Sequence, residues 1–132
     1  MRRKFFFWFF LIGWAISAPV SAHHSHAMYD HEGRLTLSGT ATELHWGNPH
    51  VWLYMSVTDE NGVVTNWVLE GGAPGVLARQ GWNGEAPIPG DQITVLALPL
   101  KDGARGGMLR RLTFADGSEF NYVSPVTGAF EP

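Results

Sequence analysis

The chain has 132 residues, a formal net charge of −3 with His neutral, and no cysteine. Without cysteine it has no disulfides, thiolate metal sites or thiol catalysis, so any metal has to be bound by nitrogen, oxygen or thioether ligands. The acidic balance and the lack of a basic stripe exclude a typical nucleic-acid surface and give no attraction to an anionic membrane.

The first 22 residues have the pattern of a secretory signal peptide. Three basic residues precede an apolar run at 5–16, and small residues follow at 17–22. The run is short for a membrane-spanning helix, which needs about 20 apolar residues. We expect cleavage after Ala22 rather than after Ala18, because the latter cut would place Pro19 directly behind it. The expected location is periplasmic or extracellular, with no stable membrane anchor after cleavage.

The expected mature chain begins at His23 and has the length of one domain. Removing the three basic residues of the signal leaves 6 Lys and Arg against 12 Asp and Glu, a net charge of about −6. We divide the chain into a signal peptide (1–22), a His-rich segment (23–34), a β domain (35–123) and a C-terminal tail (124–132).

Alternating apolar and polar residues predict six strands in the β domain, at 35–46, 50–58, 63–70, 92–100, 108–115 and 118–123. The first strand changes phase near Gly39, which predicts a bulge or bend there. Asn61-Gly62 predicts a hairpin turn. A helix is predicted at 73–82, with Pro74 in its first turn and Gly81 near its end.

Three strands, one helix and then further strands is the order typical of the OB type of small barrel. We therefore expect a mostly β fold, an OB-like barrel of five to six strands with one short helix between strands 3 and 4. A small β-sandwich can present the same order of elements.

Four of the six histidines lie in AHHSHAMYDH (22–31), directly behind the expected cleavage site. If cleavage follows Ala22, His23 carries an α-amine and an imidazole that can chelate one metal ion together. A further imidazole would complete a histidine brace, and such nitrogen donors favour copper over other divalent ions. We predict a copper site whose candidate ligands are His23, His24, His50, His45 and His26.

Two alternatives to this histidine brace stay open. A cut after Ser21 would give Ala22-His23-His24, which binds Cu(II) or Ni(II) through the amine, two backbone amides and the His24 imidazole. A solvated tail with weak, adventitious metal affinity is the plain alternative.

The stretch WGNPHVW (46–52) and the strand behind it support a second hypothesis, a non-metal binding module. Its aromatic barrel face would bind a carbohydrate, peptide or protein partner. The sequence does not identify a protein partner. The candidate residues are Trp46, Asn48, Trp52 and Tyr54. In the structural alternative, Trp46 and Trp52 pack the barrel and Asn48-Pro49 fixes a turn.

An enzyme is the weakest of the three hypotheses. No spacing distinguishes a catalytic pair among the acidic residues, which we expect to be solvated; they include Asp30, Glu32, Glu70 and Asp91. No GxSxG elbow is present for a serine nucleophile.

Several blocks resemble, in the same order, a family of small exported bacterial proteins catalogued as a domain of unknown function. They are HHSHAMYD, GTATELHWGNPHVWLY, WVLEGGAPGVLARQGW, PGDQITVLALPLKDGARGG and LTFADG. The family typically reads HHSF…FD and TNPH.W, whereas this chain has His26 for the aromatic residue and Gly47 for Thr. The resemblance implies export and a small β domain, but no activity. His26 lies off the family pattern and is therefore a poorer ligand candidate than His23, His24 or His50.

Overall fold

Six strands and one short α-helix follow one another in the computed structural model, which describes residues 26–125. The strands are β1 (Leu35–His45), β2 (Trp52–Thr58), β3 (Val64–Glu70), β4 (Gln92–Pro99), β5 (Gly106–Phe114) and β6 (Glu119–Asn121). Helix α1 (Pro74–Arg79) lies between β3 and β4, and a 3-10 helix (His26–Met28) precedes β1. The predicted helix was therefore too long, since it extended to Trp82.

The two halves of the long first strand pair with different neighbours. Its first half, 35–40, pairs antiparallel with β4, and its second half, 40–45, pairs antiparallel with β2. The register shifts between Ala41 and Glu43, so the bulge lies near Thr42 rather than at the predicted Gly39. Gly39 has a different role: a Cβ there would lie 2.1 Å from the carbonyl oxygen of Ser56, so β1 and β2 approach closely at this point.

A parallel pairing closes the barrel. Residues 68–70 of β3 pair with residues 106–108 of β5, while β5 also pairs antiparallel with β4. The closed order is thus β1, β2, β3, β5, β4 and back to β1, with β6 added to β5 as a sixth strand. This confirms the predicted OB-like barrel with one short helix between strands 3 and 4.

The barrel core follows from the alternation along the strands. Leu53 and Met55 of β2 are fully buried, whereas Trp52 and Tyr54 are half-buried on the outer face. The other large aliphatic side chains that are fully buried in this core are Val51, Leu69, Leu77, Val95, Leu109 and Leu112. Burial of one such side chain stabilises the fold by about 2–3 kcal/mol.

A second apolar cluster lies apart from the core and consists of Tyr29, Leu98 and Met108. Residues 27–30 run antiparallel to the end of β4, where Tyr29 forms a bridge with Leu100. The amide of Asp30 donates to the Pro99 carbonyl at 2.8 Å. The chain leading into β1 is thereby fixed against the barrel.

Candidate functional site

A buried carboxylate marks the candidate site. Glu70 is the last residue of β3, and its Cα partners are Trp52 on β2 and Met108 on β5. Because Leu69 points into the core, Glu70 points to the opposite, outer face of the sheet. The residue is nevertheless only 4% exposed. Residues 27–30, here called the N-terminal segment, lie over this part of the outer face, where Tyr29 packs with Met108.

Both carboxylate oxygens of Glu70 have partners. The Tyr29 hydroxyl donates a hydrogen bond to Oε2. On the other side, Nδ1 of His50 lies 2.5 Å from Oε1, an ion-pair contact at hydrogen-bonding distance. A carboxylate only accepts hydrogen bonds, so Nδ1 carries the hydrogen in this contact, whether the ring is neutral or protonated. The contact therefore fixes the orientation of the His50 ring.

The second ring nitrogen of His50, Nε2, is the atom that can bind a ligand. The His50 side chain is 34% exposed. Within residues 26–125, no hydrogen bond occupies its Nε2. Histidine ligands of metal ions commonly donate their other ring N–H to a carboxylate in this manner, which fixes the tautomer and raises the basicity of the ligating nitrogen.

Backbone pairing beyond β3 holds His50 in place. After Glu70, the amide of Gly71 donates to the Val51 carbonyl at 2.8 Å, and the Val51 amide donates to the Gly72 carbonyl at 3.0 Å. Val51 is fully buried. Its neighbour His50 is thereby fixed next to the end of β3, and the preceding Asn48–Pro49 peptide bond is cis.

Gly72 also accommodates a second buried tyrosine. A Cβ at Gly72 would lie 2.8 Å from Cε2 of Tyr122, so only glycine allows this ring to lie against the backbone. Burial raises the pKa of Tyr122; the charge of Arg110 lowers it and that of Glu70 raises it. Arg110 is 3% exposed. Buried charges of opposite sign thus act on the same hydroxyl group.

Tyr29 remains a hydrogen-bond donor at physiological pH. Burial, the hydrogen bond to Glu70 and the negative charge of Glu70 all raise the pKa of Tyr29 well above its ordinary value. The hydroxyl therefore keeps its proton. Glu70 accepts a hydrogen bond from this hydroxyl and also contacts Nδ1 of His50.

The structure places the other predicted ligands differently. His45 is exposed at the end of β1, with its ring against Gly47. His26 is exposed in the 3-10 helix, and its carbonyl oxygen lies 3.0 Å from Nε2 of His31. His23 and His24 lie outside the described residues. Between residues 26 and 125 there is no group of three or more His, Asp or Glu side chains that could hold a metal ion by itself.

The candidate residues of the non-metal binding module lie in different environments. Trp46 packs edge-on against Trp82, with a distance of 5.3 Å between the ring centroids, and adjoins the core. Trp52 and Tyr54 are half-buried on the outer face, and Asn48 is exposed in the turn. A groove of about 350 Å³ lies beside Tyr54, with Glu43 and Asn66 in its lining.

Two members of the site were missed by sequence reasoning. We expected Glu70 to be a solvated carboxylate, which is wrong, and Tyr29 had no assigned role. The sequence contains one signal for Glu70, its position at the end of a strand directly before Gly71-Gly72. No local pattern announces Tyr29, because its partner is 41 residues away along the chain.

A model of a family of unknown function, DUF6152, matches residues 13–110. The chain belongs to this family. The match includes the three residues whose side chains meet at the site, Tyr29, His50 and Glu70. This confirms the resemblance to a family catalogued as a domain of unknown function. No curated protein matches this DUF6152 chain.

The described part of the DUF6152 chain contains no helix that is long and apolar enough to cross a membrane.

Proposed function

We propose that this DUF6152 protein is exported and binds a copper ion between His50 of the barrel and the histidines of its mature N-terminus. The observation that carries the proposal is the contact between Nδ1 of His50 and the buried Glu70 carboxylate, 2.5 Å long. A carboxylate that accepts from one ring nitrogen of an imidazole and leaves the other for the metal is the usual support of a metal-ligating histidine.

The donors fit copper but are incomplete on the barrel. The barrel supplies one oriented imidazole at His50, and exposed His45, the Cα partner of Trp52 at the end of β1, is a second candidate. His23, if signal cleavage follows Ala22, adds an amine and an imidazole, and His24 adds another imidazole. Neutral nitrogen donors without thiolates favour Cu(II) over the other common divalent ions.

The covalent reach of the N-terminal segment allows this assembly. Tyr29 binds the same carboxylate as His50. His24 precedes Tyr29 by five residues, and five residues span at most about 17 Å. The histidines behind the expected cleavage site are therefore tethered to the surroundings of His50 and do not have to be supplied by another molecule.

The first test is a metal titration of the mature protein. Mass spectrometry defines its N-terminus, and Cu(II) titration with EPR measures the affinity and the nitrogen ligands. We expect one tightly bound Cu(II), and His50→Ala should weaken binding about tenfold or more and remove one nitrogen from the spectrum.

His31→Ala is the matched control, because His31 is exposed and its Nε2 lies at hydrogen-bonding distance from the His26 carbonyl. It should bind copper as the wild type does. Equal copper binding by the wild type and His50→Ala would contradict the proposal, as would a mature chain that does not begin at Ala22 or His23.

The groove beside Tyr54 supports carbohydrate binding as a second candidate function. Its half-buried tyrosine ring, the Glu43 carboxylate and the Asn66 amide are the groups that commonly contact sugars. Calorimetric titration with soluble oligosaccharides tests this candidate. Binding that is lost in Tyr54→Ala but kept in His50→Ala would support it, whereas no heat with any oligosaccharide would reject it.

A further inference from the structure

The N-terminal segment is attached to the barrel at several points around one buried side chain. The amide of Lys101 donates to the Met28 carbonyl at 3.0 Å, and its ammonium donates to the Ala27 carbonyl at 2.9 Å. The amide of Asp30 donates to Pro99 at 2.8 Å. Tyr29, between these contacts, is 3% exposed and packs on Leu98 and Met108.

Most of these contacts hold the segment on the barrel without involving Glu70 or His50. The amide and ammonium hydrogen bonds join the segment to Pro99, at the end of β4, and to Lys101. Within residues 26–30, it is the Tyr29 hydroxyl alone that reaches the carboxylate that also contacts His50. The hydroxyl therefore connects the position of the N-terminal segment to the position of the barrel ligand.

We propose that Tyr29 is the positioning residue of the copper site: its hydrogen bond to Glu70 docks the N-terminal segment beside His50, so that copper binding and docking stabilise each other. This inference rests on the proposed copper site. The linkage is reciprocal, because a ligand that binds the docked form more tightly raises its population by the same factor.

Tyr29→Phe tests the role of the hydroxyl and removes one oxygen atom. A hydrogen bond to a charged group stabilises the docked form substantially, so its loss should weaken Cu(II) binding by about tenfold. In a His50→Ala background the same substitution should have little further effect, because both changes remove one shared interaction. The EPR spectrum of Tyr29→Phe should also lose the contribution of one imidazole.

Tyr122→Phe is the matched control. Tyr122 is also buried and experiences the charge of Glu70, but it lies at the C-terminal side, against Gly72. The variant should bind copper with the affinity and spectrum of the wild type. Equal weakening in Tyr122→Phe and Tyr29→Phe would show a general effect of lost buried hydroxyls and would overturn the proposal.

Amide hydrogen exchange measures docking without any substitution. Copper should slow exchange of the Asp30 and Lys101 amides by about tenfold in the wild type, because both donate across the contact between the segment and the barrel. If the wild type binds no copper, the proposed function fails. If it binds copper but neither exchange nor the Tyr29→Phe affinity changes, the copper site stands and the positioning role is wrong.

Discussion

At the scale of single residues, Glu70 determines the arrangement of the site. Its two oxygens hold Tyr29 and His50, and its charge acts on Tyr122. A carboxylate in this position is stable only because these donors replace water. Its removal leaves a buried hydroxyl and an imidazole N–H without an acceptor.

Glu70→Leu should lower the free energy of unfolding by about 3 kcal/mol, because buried donors that lose their charged acceptor are costly. Urea denaturation followed by tryptophan fluorescence measures the change. Glu43→Leu is the control, since Glu43 is exposed on the outer face of β1, and its effect should stay within about 0.5 kcal/mol. An equally small effect of Glu70→Leu would contradict the role assigned to this carboxylate.

The raised pKa of Tyr29 predicts a loss of folding stability at high pH. Tyr29 has a folded pKa above its ordinary value of 10.0, so its contribution is complete below pH 10 and is lost as the pH rises beyond it. We expect the free energy of unfolding to fall above about pH 10, and to fall less steeply in Tyr29→Phe. Denaturant titrations at a series of alkaline pH values test this. Identical slopes for the two proteins would be the contrary result.

At the scale of elements, close approaches between strands shape the barrel. Gly39 lets β1 approach Ser56 of β2, and the shift of register near Thr42 then redirects β1 from β4 to β2. The parallel pair of β3 and β5 closes the barrel and brings Glu70 next to Met108. The site is therefore located where the closure meets the N-terminal segment.

Gly39→Ala should destabilise the fold by more than about 2 kcal/mol, because the added methyl would meet a backbone carbonyl that cannot move freely. Gly75→Ala in α1 is the opposite case: the nearest atom lies 3.7 Å away, and alanine favours the helix, so stability should rise by up to about 1 kcal/mol. Thermal unfolding followed by circular dichroism compares the two. A neutral Gly39→Ala would disprove the close approach.

At the scale of the whole molecule, local patterns predict the order of strands, but of the three residues at the site they point only to His50. The alternation in β2 and the Asn61-Gly62 turn identify a hairpin because one face of each strand is buried and one is not. Gly39 was correctly seen as special but for the wrong reason, since a phase change does not reveal which residue is inserted. Glu70 accepts a hydrogen bond from Tyr29, and no local pattern encodes a contact across 41 residues.

The proposed copper site, shared by His50 and the mature N-terminus, would affect the stability of the whole fold. If signal cleavage follows Ala22, the amine and imidazole of His23 would also be present in the unfolded chain and could bind copper without the barrel. Only the contribution of His50 distinguishes the folded state. Binding that depends on His50 therefore stabilises the fold, whereas binding by the N-terminal residues alone does not.

The most direct measurement is the melting temperature of the mature protein with and without one equivalent of Cu(II), for the wild type and His50→Ala. If copper joins the N-terminus to the barrel, it should raise the melting temperature of the wild type by several degrees. In His50→Ala the increase should disappear, although we expect the N-terminal residues still to bind copper. An equal increase in both proteins, or none in the wild type, would contradict the account.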